Sequence, residues 1–427
     1  MVLMLIGYAA VAMAEGRVLH LADVERAAQA HQPQLLAART STLAAESRVD
    51  QAGAALLPQV NATAQYQRKT GNIAANPGTY SPTKSSTSLA PTYDAYNIGV
   101  TASQLLYDFG QTRDRIAVAQ AGRDVLRSGE KAAELQVVAG VRRAFFVAQA
   151  QKAVLAVARE NLANQQRHQT QIQGFVKVGT RPDIDLVQAK TNVANAEVGV
   201  ITAQNNYDGA RAQLNQAAGL VGNTDFDVGD EQLPAVAGEE QPLAPLMDKA
   251  VVQRPEMEVL SQQKRQQDLQ LQLVHHNLWP TIAATAGATE VGITIGGMVP
   301  NWNLGAVVTW PIFQGGINKA QVREAQANLQ NIAAQESVQV LQIQTDIEQA
   351  RLAVGAQKAT ISAAEVADLN AKELLRMAEA RYNAGVSSML ELNDTQLAAT
   401  SAAVQLVTAR FNLSMARAQL LAALGLP

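Results

Sequence analysis

Two periodicities organise this chain. Short stretches alternate apolar and polar residues with a period of two: Val60, Ala62, Ala64 and Tyr66 oppose Asn61, Thr63, Gln65 and Gln67, while Ile98, Val100 and Ala102 oppose Gly99, Thr101 and Ser103. Trp302, Leu304, Ala306, Val308 and Trp310 alternate in the same way. Alternation of this kind predicts amphipathic strands, here over about 58–70, 94–109, 280–290 and 302–313. Longer stretches repeat every seven residues instead: Val141, Ala148, Leu155 and Leu162, then Val340, Ile347, Val354 and Ile361. They predict two helices with no internal Pro, Thr112 to about Phe175 and Asn318 to about Tyr382, each roughly 95 Å long at ~1.5 Å per residue. Tight turns near 179 and 385 reverse the chain. Ladders at Leu186, Val193, Val200, Tyr207 and Leu214, and at Leu392, Leu406, Leu413 and Leu420, predict antiparallel return helices.

The plan is given twice. Gly179–Leu220 matches Gly385–Leu426 at a constant offset of 206, and Ala210-Arg-Ala-Gln-Leu214 recurs as Ala416-Arg-Ala-Gln-Leu420. Upstream the offset is 222, so that Pro33 falls on Pro255 and Pro58 on Pro280. The difference places an insertion in Gly71–Tyr93, whose Ser, Thr, Pro and Asn content reads as an enlarged loop. Pro33 and Pro255 each open a helix, and Pro58 and Pro280 stop it. Gly110 and Gly315-Gly316 lead from the strands into the long helices, with Thr112 and Asn318 as expected caps. The expected layout is a first repeat over 15–220, a collar linker over 221–245 rich in Gly, Asp, Glu and Pro, and a second repeat over 246–427. Residues 1–14 form an apolar run ending in Ala12-Met13-Ala14, the pattern of a cleaved signal peptide, which implies export past the inner membrane.

Composition narrows the chemistry. Aromatics are 4% and charged residues 17% of the 427, which suits long helices packed through small side chains. A net charge of −3 with no charge block gives nucleic acid nothing to bind. The absence of Cys excludes disulfides, thiolate nucleophiles and thiolate metal sites within these residues. Five scattered His residues make no metal site, and the adjacent His275 and His276 point to different sides of a helix. No cofactor is expected. A secreted enzyme would need an acid, base or nucleophile cluster that is missing here. A periplasmic coiled-coil adaptor or structural rod would account for the helices but not for four symmetrically placed amphipathic strands. Four strands with open edges in lipid would leave backbone groups unpaired at several kcal/mol each, so the strands must close by assembly.

The residues that make the pattern specific are Leu57-Pro-Gln-Val60, Leu106-Tyr-Asp-Phe-Gly110, Trp310-Pro-Ile-Phe-Gln-Gly-Gly316, Val178-Gly-Thr180 and Tyr382-Asn-Ala-Gly385. In this order, and duplicated, the sequence resembles the TolC family of outer-membrane efflux and secretion channels over Glu15 to Leu426. The resemblance implies an α+β membrane protein: a homotrimer with a twelve-stranded β-barrel, four strands per chain, continuing into a twelve-helix periplasmic tunnel in a Gram-negative envelope. It implies the outer-membrane duct of a tripartite efflux pump or type I secretion system. The expected partners are a periplasmic adaptor, an inner-membrane pump or ABC transporter, and outer-membrane lipid. Some relatives carry a lipid on an N-terminal Cys; with no Cys, this sequence is expected to lack one.

The resemblance also assigns sites. Acidic rings that constrict the tunnel fall on Glu391 and Asp394, whose i,i+3 spacing puts both on one helix face. The family's Tyr–Asp latch falls on Tyr382 and Asp185. An Arg that completes it is replaced by Ser387, while Arg181 stands at the equivalent place 206 residues earlier. Val178, Gly179 and Thr180, with Ala384, Gly385, Val386 and Ser387, are the expected adaptor-docking turns. Tyr66, Tyr96, Tyr107, Trp279, Trp302, Trp310 and Phe313 cluster in the strand regions as an expected interfacial aromatic belt.

Overall fold

The structure, a computed structural model, describes residues 18–70, 92–222 and 224–426. The expected signal segment 1–14 and nearly all of the enlarged loop lie outside these residues. Fourteen elements define the described chain. They are β1 (Val18–Leu19), α1 (Leu21–His31), α2 (Pro33–Gly53), β2 (Gln59–Thr70), β3 (Thr92–Tyr107), α3 (Gln111–Lys177), α4 (Asp183–Ala218), β4 (Asp227–Val228), α5 (Leu243–Gln253), α6 (Pro255–His276), β5 (Thr281–Gly292), β6 (Val299–Thr309), α7 (Ile317–Asn383) and α8 (Met389–Ala423). The chain divides into two compact units, one of residues up to 41, 126–260 and 335–427, the other of 42–125 and 261–334. Among the described residues no helix is long and apolar enough to cross a membrane.

The second unit is built on an antiparallel sheet in the order β2-β3-β5-β6. Its registers place Ala62, Val100, Ala288 and Trp302 in one row, and Val60, Ala102, Ala286 and Leu304 in the next. All eight side chains lie on the same face, because directly opposed residues in a pleated ladder point the same way. The other face carries Asn61, Thr101, Gly287 and Asn303, then Thr63, Gly99, Thr289 and Asn301. A bulge between Leu105 and Tyr107 twists β3 where it leaves the sheet. The strands are shifted from the expected spans: β3 ends at Tyr107 and β6 at Thr309, so Trp310 and Phe313 stand outside the ladder. Proline at 311 cannot donate to a ladder and two glycines at positive φ follow, which ends the strand early.

Helix α3 begins one residue before the expected cap. Asp108, not Thr112, caps it: its carboxylate accepts from the Thr112 N–H at 2.7 Å and the Gly110 N–H at 3.1 Å. The second copy has Gln314 at the matching place, whose carbonyl accepts from the Ile317 N–H as the Asp108 carbonyl does from the Gln111 N–H; Asn318 lies inside α7 and is no cap either.

In the first unit, α3 and α4, and likewise α7 and α8, are antiparallel partners. The buried seam of α4 includes Ala189, Asn192, Ala196, Ala203, Tyr207, Ala210 and Leu214; it keeps the expected Tyr207 and Leu214, while Leu186, Val193 and Val200 are only half-buried. On α8 it is Leu392, Thr395, Ala399, Ala402, Ala409, Ala416 and Leu420, with Leu406 and Leu413 only half-buried. Small residues at the seam bring the backbones close, and the larger aliphatics flank it. Two large apolar cores form, besides a smaller cluster around Ile172, Tyr382 and Leu392. One joins Phe145, Phe146, Val141, Leu214 and Val228, the other Ile343, Ile347, Val354, Leu420 and Leu246. Each fully buried Leu, Ile or Phe among them stabilises by about 1.5–3 kcal/mol.

Helices α1 and α5 were not expected from the sequence. Both are 11 residues long and are closed by the capping residues Gln32 and Arg254, immediately before the helix-opening prolines. The return helices end against those joints. Gly219 at φ +68 packs on the Gln32 backbone and Gly425 at φ +75 on the Arg254 backbone, each close enough that a Cβ would meet main-chain atoms at 3.0 Å or less. The expected linker 221–245 gives way to α5 at Leu243. Ahead of α5 it runs over both cores, burying Phe226, Val228 and Leu233 in the first and Val236 in the second.

Candidate functional site

Both long helices stop the same way. Gly179 at φ +73 and Gly385 at φ +80 adopt the left-handed conformation that reverses the chain. The Thr180 N–H bonds the Phe175 carbonyl and the Val386 N–H the Arg381 carbonyl, both at 3.0 Å, which satisfies carbonyls left over at each helix end. Open space surrounds both glycines, and Val178 and Val386 project with 73% and 68% exposure. Ser388 then caps α8 by accepting from the Glu391 N–H at 3.2 Å.

Three of the expected gate residues meet at these turns. The Tyr382 ring is 2% exposed, in a cluster with Ile172, Ala189, Ala378, Met389 and Leu392. Its hydroxyl donates to Asp185 Oδ2 at 2.9 Å. Burial first, and then the carboxylate acceptor, push the phenol up to about 12. Arg181 lies over the ring at 4.1 Å from the guanidinium carbon, donates to the Tyr382 carbonyl, and reaches the Ser387 carbonyl at 3.4 Å. Arg181 thus reaches from the first turn to the backbone of the second, at Tyr382 and Ser387.

The two expected ring carboxylates separate. Glu391 is half-buried and pairs with Arg381 Nη1 at 3.4 Å, whereas Asp394 is exposed to solvent. The partnership of Arg381 with Glu391 was missed in the sequence, although both flank the same glycine turn. Also missed was a seam of amides just beyond it. Asn192 donates to Asn393 at 3.0 Å and Gln165 to Gln396 at 3.1 Å, beside a cleft of about 540 Å³ lined by Asn161, Gln188 and Thr400 among others.

In the sheet unit the aromatics fall into two groups. Tyr66 and Tyr96 are paired at one end of the sheet, with ring centres 5.2 Å apart. At the other, Phe109 stacks on Trp279 and meets Tyr107 edge-on, and Trp310 Nε1 donates to the Leu278 carbonyl there at 3.2 Å. Phe313 follows Trp310 in the same connection and is highly exposed. Trp302 belongs to neither group, lying in an inner row of the apolar face. Phe109, at φ +55, was not foreseen.

A family model described as outer membrane efflux protein matches residues 25–220 and 246–426. The outer membrane efflux protein BepC of Brucella suis biovar 1 is 26% identical over 68% of this chain and 65% of its own length. The probable outer membrane lipoprotein SilC of Salmonella typhimurium is 24% identical over 56% of this chain and 52% of its own. The chain thus spans between half and two thirds of these two relatives. The outer membrane protein TolC of Escherichia coli K12 is 24% identical over 99% of this chain and 85% of its own length. Among solved structures, the Campylobacter jejuni CmeC outer membrane channel superposes with a TM-score of 0.76 at 17% identity, covering 95% of this chain and 85% of that one. VceC of Vibrio cholerae gives 0.75 at 17%, covering 95% and 96%. The fold is that of an α-helical tunnel protein with a β domain, and the chain belongs to the outer membrane efflux protein family, the TolC family of outer-membrane channels.

Proposed function

We propose that three copies of this chain close into a twelve-stranded barrel continuing into a twelve-helix tunnel, the passive outer-membrane duct of a tripartite efflux or type I secretion assembly. The observation that carries this reading is the two-faced sheet. In its central rows one side is Ala, Val, Leu and Trp, the other Asn, Thr and Gly, and β2 and β6 are its edges. A lipid-facing exterior and a watered lumen ask for this division, and β6 of one copy against β2 of the next would remove both edges. Tyr96 and Tyr107 lie eleven residues apart on β3, roughly 36 Å of strand and about 25 Å of height at a ~45° tilt. The two aromatic groups then stand as girdles at the two membrane interfaces, with Trp302 between them facing lipid.

The chain is read as an internal duplication, 15–220 and 246–427, joined by the collar linker 221–245, with 1–14 acting as export signal. The turns at Val178–Thr180 and Ala384–Ser387 serve as the docking surface for a periplasmic adaptor, which couples the duct to an inner-membrane pump or ABC transporter. Tyr382, Asp185 and Arg181 latch the gate, and Glu391 and Asp394 ring the axis. Mass measurement in mild detergent, after reconstitution into bilayers, tests the assembly. A mass three times that of the mature chain and an ion-conducting pore are the expected results; a monomer stably inserted in lipid, or a soluble rod, would overturn it.

A further inference from the structure

Lys152 and Lys358 are 206 residues apart, and so are Arg211 and Arg417. Each lysine stands 25 residues before the end of its long helix, Lys177 or Asn383, roughly 38 Å from the turn at ~1.5 Å per residue. Each arginine lies on the return helix beside it. The linker from Phe226 to the start of α5 places one carboxylate against each of these repeated pairs. Asp227 accepts from Lys152 Nζ at 2.6 Å and from the Tyr207 hydroxyl at 2.7 Å, while Arg211 donates to the Phe226 carbonyl at 3.0 Å. Glu239 lies 2.7 Å from Lys358 Nζ and accepts from Arg417 through Nε at 3.0 Å and Nη2 at 3.1 Å, while Arg417 Nη1 donates to the Leu233 carbonyl at 2.9 Å. In both places the arginine takes a linker carbonyl, the lysine takes a linker carboxylate, and an apolar linker residue enters the adjoining core.

We propose that the linker is a strap with two pins, Asp227 and Glu239, which fix both helical hairpins at matched distances from their turns and make that level the fulcrum for movement of the tips. Beyond the pins the two cores hold Phe145, Phe146, Ile343 and Ile347 dry. Toward the turns the interhelical contacts pass to the amide seam and its cleft, whose hydrogen bonds water can replace at small net cost, before a small apolar cluster of Ile172, Tyr382 and Leu392 closes the tips. A rigid region meets a separable one near the pins. Glu239 is 5% exposed at its side chain and would be expensive to leave unpaired there. Burial pushes its carboxyl up, but hydrogen bonds from Arg417 and Lys358 outweigh this and hold it at about 2. The Asp227 carboxyl is lowered as well: burial opposes this, and the Lys152 and Tyr207 hydrogen bonds prevail. Both pins therefore stay charged through the physiological range.

The inference rests on the reading of the turns as a gate, and its test separates the two. The chain has no cysteine, so nitroxide labels can be placed singly in the intact assembly at Val178 or Ala384 on the turns, and at Gln136 or Val338 on the far side of the lysines. Pulsed electron resonance then reads the distances between copies. Glu239→Gln should broaden and lengthen the distribution at 384 and leave 178 narrow, Asp227→Asn should do the reverse, and neither should alter 136 or 338. Lys358→Met, which keeps Arg417 on Glu239, should broaden 384 even if Glu239→Gln fails to assemble, and Lys358→Arg should restore the narrow distribution. Unchanged tips, or equal broadening at all four positions, would overturn the proposal. Conductance of the same samples distinguishes the readings: tips that move without a change in current would refute the gate and leave the pins standing.

Discussion

The guanidinium of Arg181 lies over the Tyr382 ring and bonds the carbonyl of the same residue, so that an arginine from the first turn clamps an aromatic of the second. The Tyr382 hydroxyl returns the link to the first hairpin through Asp185. A cation over an aromatic face contributes ~0.5–2 kcal/mol, and a hydrogen bond to a charged acceptor about 1.5–3 kcal/mol. Tyr382→Phe should therefore shift a closed–open equilibrium by about tenfold or more per chain. Single-channel recordings in planar bilayers should show larger or more frequent openings for Tyr382→Phe and Arg181→Met, with trimers intact. Currents equal to wild type in both would remove the latch from these residues. The phenol's rise from 10 to about 12 means that stability from this link is fully present below about pH 10 and is lost as pH rises through 12.

The glycines separate two kinds of constraint. At Gly179 and Gly385 a new side chain meets only the strain of positive φ, ~1–2 kcal/mol, whereas at Gly219 and Gly425 it would also strike the backbone of another helix joint. Gly219→Ala and Gly425→Ala should lower the melting temperature of the assembly well below that of Gly179→Ala and Gly385→Ala. Bulky residues at 179 or 385 should impair export without loss of assembly. Equal melting temperatures across the four alanine variants would contradict the close packing at the joints.

What the sequence makes legible here is punctuation and period. Pro33, Pro58, Pro255 and Pro280 mark real helix and strand boundaries, and strand alternation gives the two faces of the sheet because its period of two admits a single answer. Helix seams are harder to read. Val193 and Val200 look like core, yet Ala189, Ala196 and Ala203 are the buried residues, because close backbone approach selects small side chains that carry little hydrophobic signal. The cap at Asp108 is hidden because a residue outside the helix acts through its side chain on N–H groups two and four positions away. Arg181 could be placed by its offset, but its contact with the opposite turn depends on tertiary structure that no local pattern encodes.

A charge on one face of the sheet should cost what it does not cost on the other. Val100 and Leu304 lie on the apolar face, Thr101 and Asn303 on the polar one. Val100→Arg and Leu304→Arg should each destabilise the inserted protein by about 2–4 kcal/mol, and Thr101→Arg and Asn303→Arg by much less. Unfolding in liposomes by denaturant titration measures the difference. Similar losses on both faces would mean that neither faces lipid.

Near the turns, His168 lies between α3 and α7, with Nε2 at 3.2 Å from Glu379 Oε1. Burial lowers its pKa below the ordinary 6.5, against the pull of Glu379. A histidine held neutral in the folded state takes up its proton more readily when unfolded, so stability falls as pH drops below about 6.5 and levels off below the folded value. Melting temperatures between pH 7.5 and 5.5 should therefore decline in the wild type and decline less in His168→Gln. A steeper decline in the variant would reverse the sign of the effect.

Glu391 and Asp394 should not contribute equally to selectivity. Arg381 at 3.4 Å offsets much of the Glu391 charge, while Asp394 is exposed, so in the proposed trimer Asp394 would form the stronger ring. Asp394→Asn should reduce cation preference in reversal-potential measurements, and weaken block by trivalent cations, more than Glu391→Gln does. Arg381→Met should act the other way, uncovering Glu391 and strengthening both. Because Arg381 pairs across the turn within one chain, its loss changes the charge of the ring without removing the Tyr382 latch. Conductance should then stay near wild type while selectivity rises. Equal effects of Asp394→Asn and Glu391→Gln would show that the ion pair does not persist in the open channel, and no effect of either would place the charged constriction elsewhere, with Asp185 the next residue to neutralise.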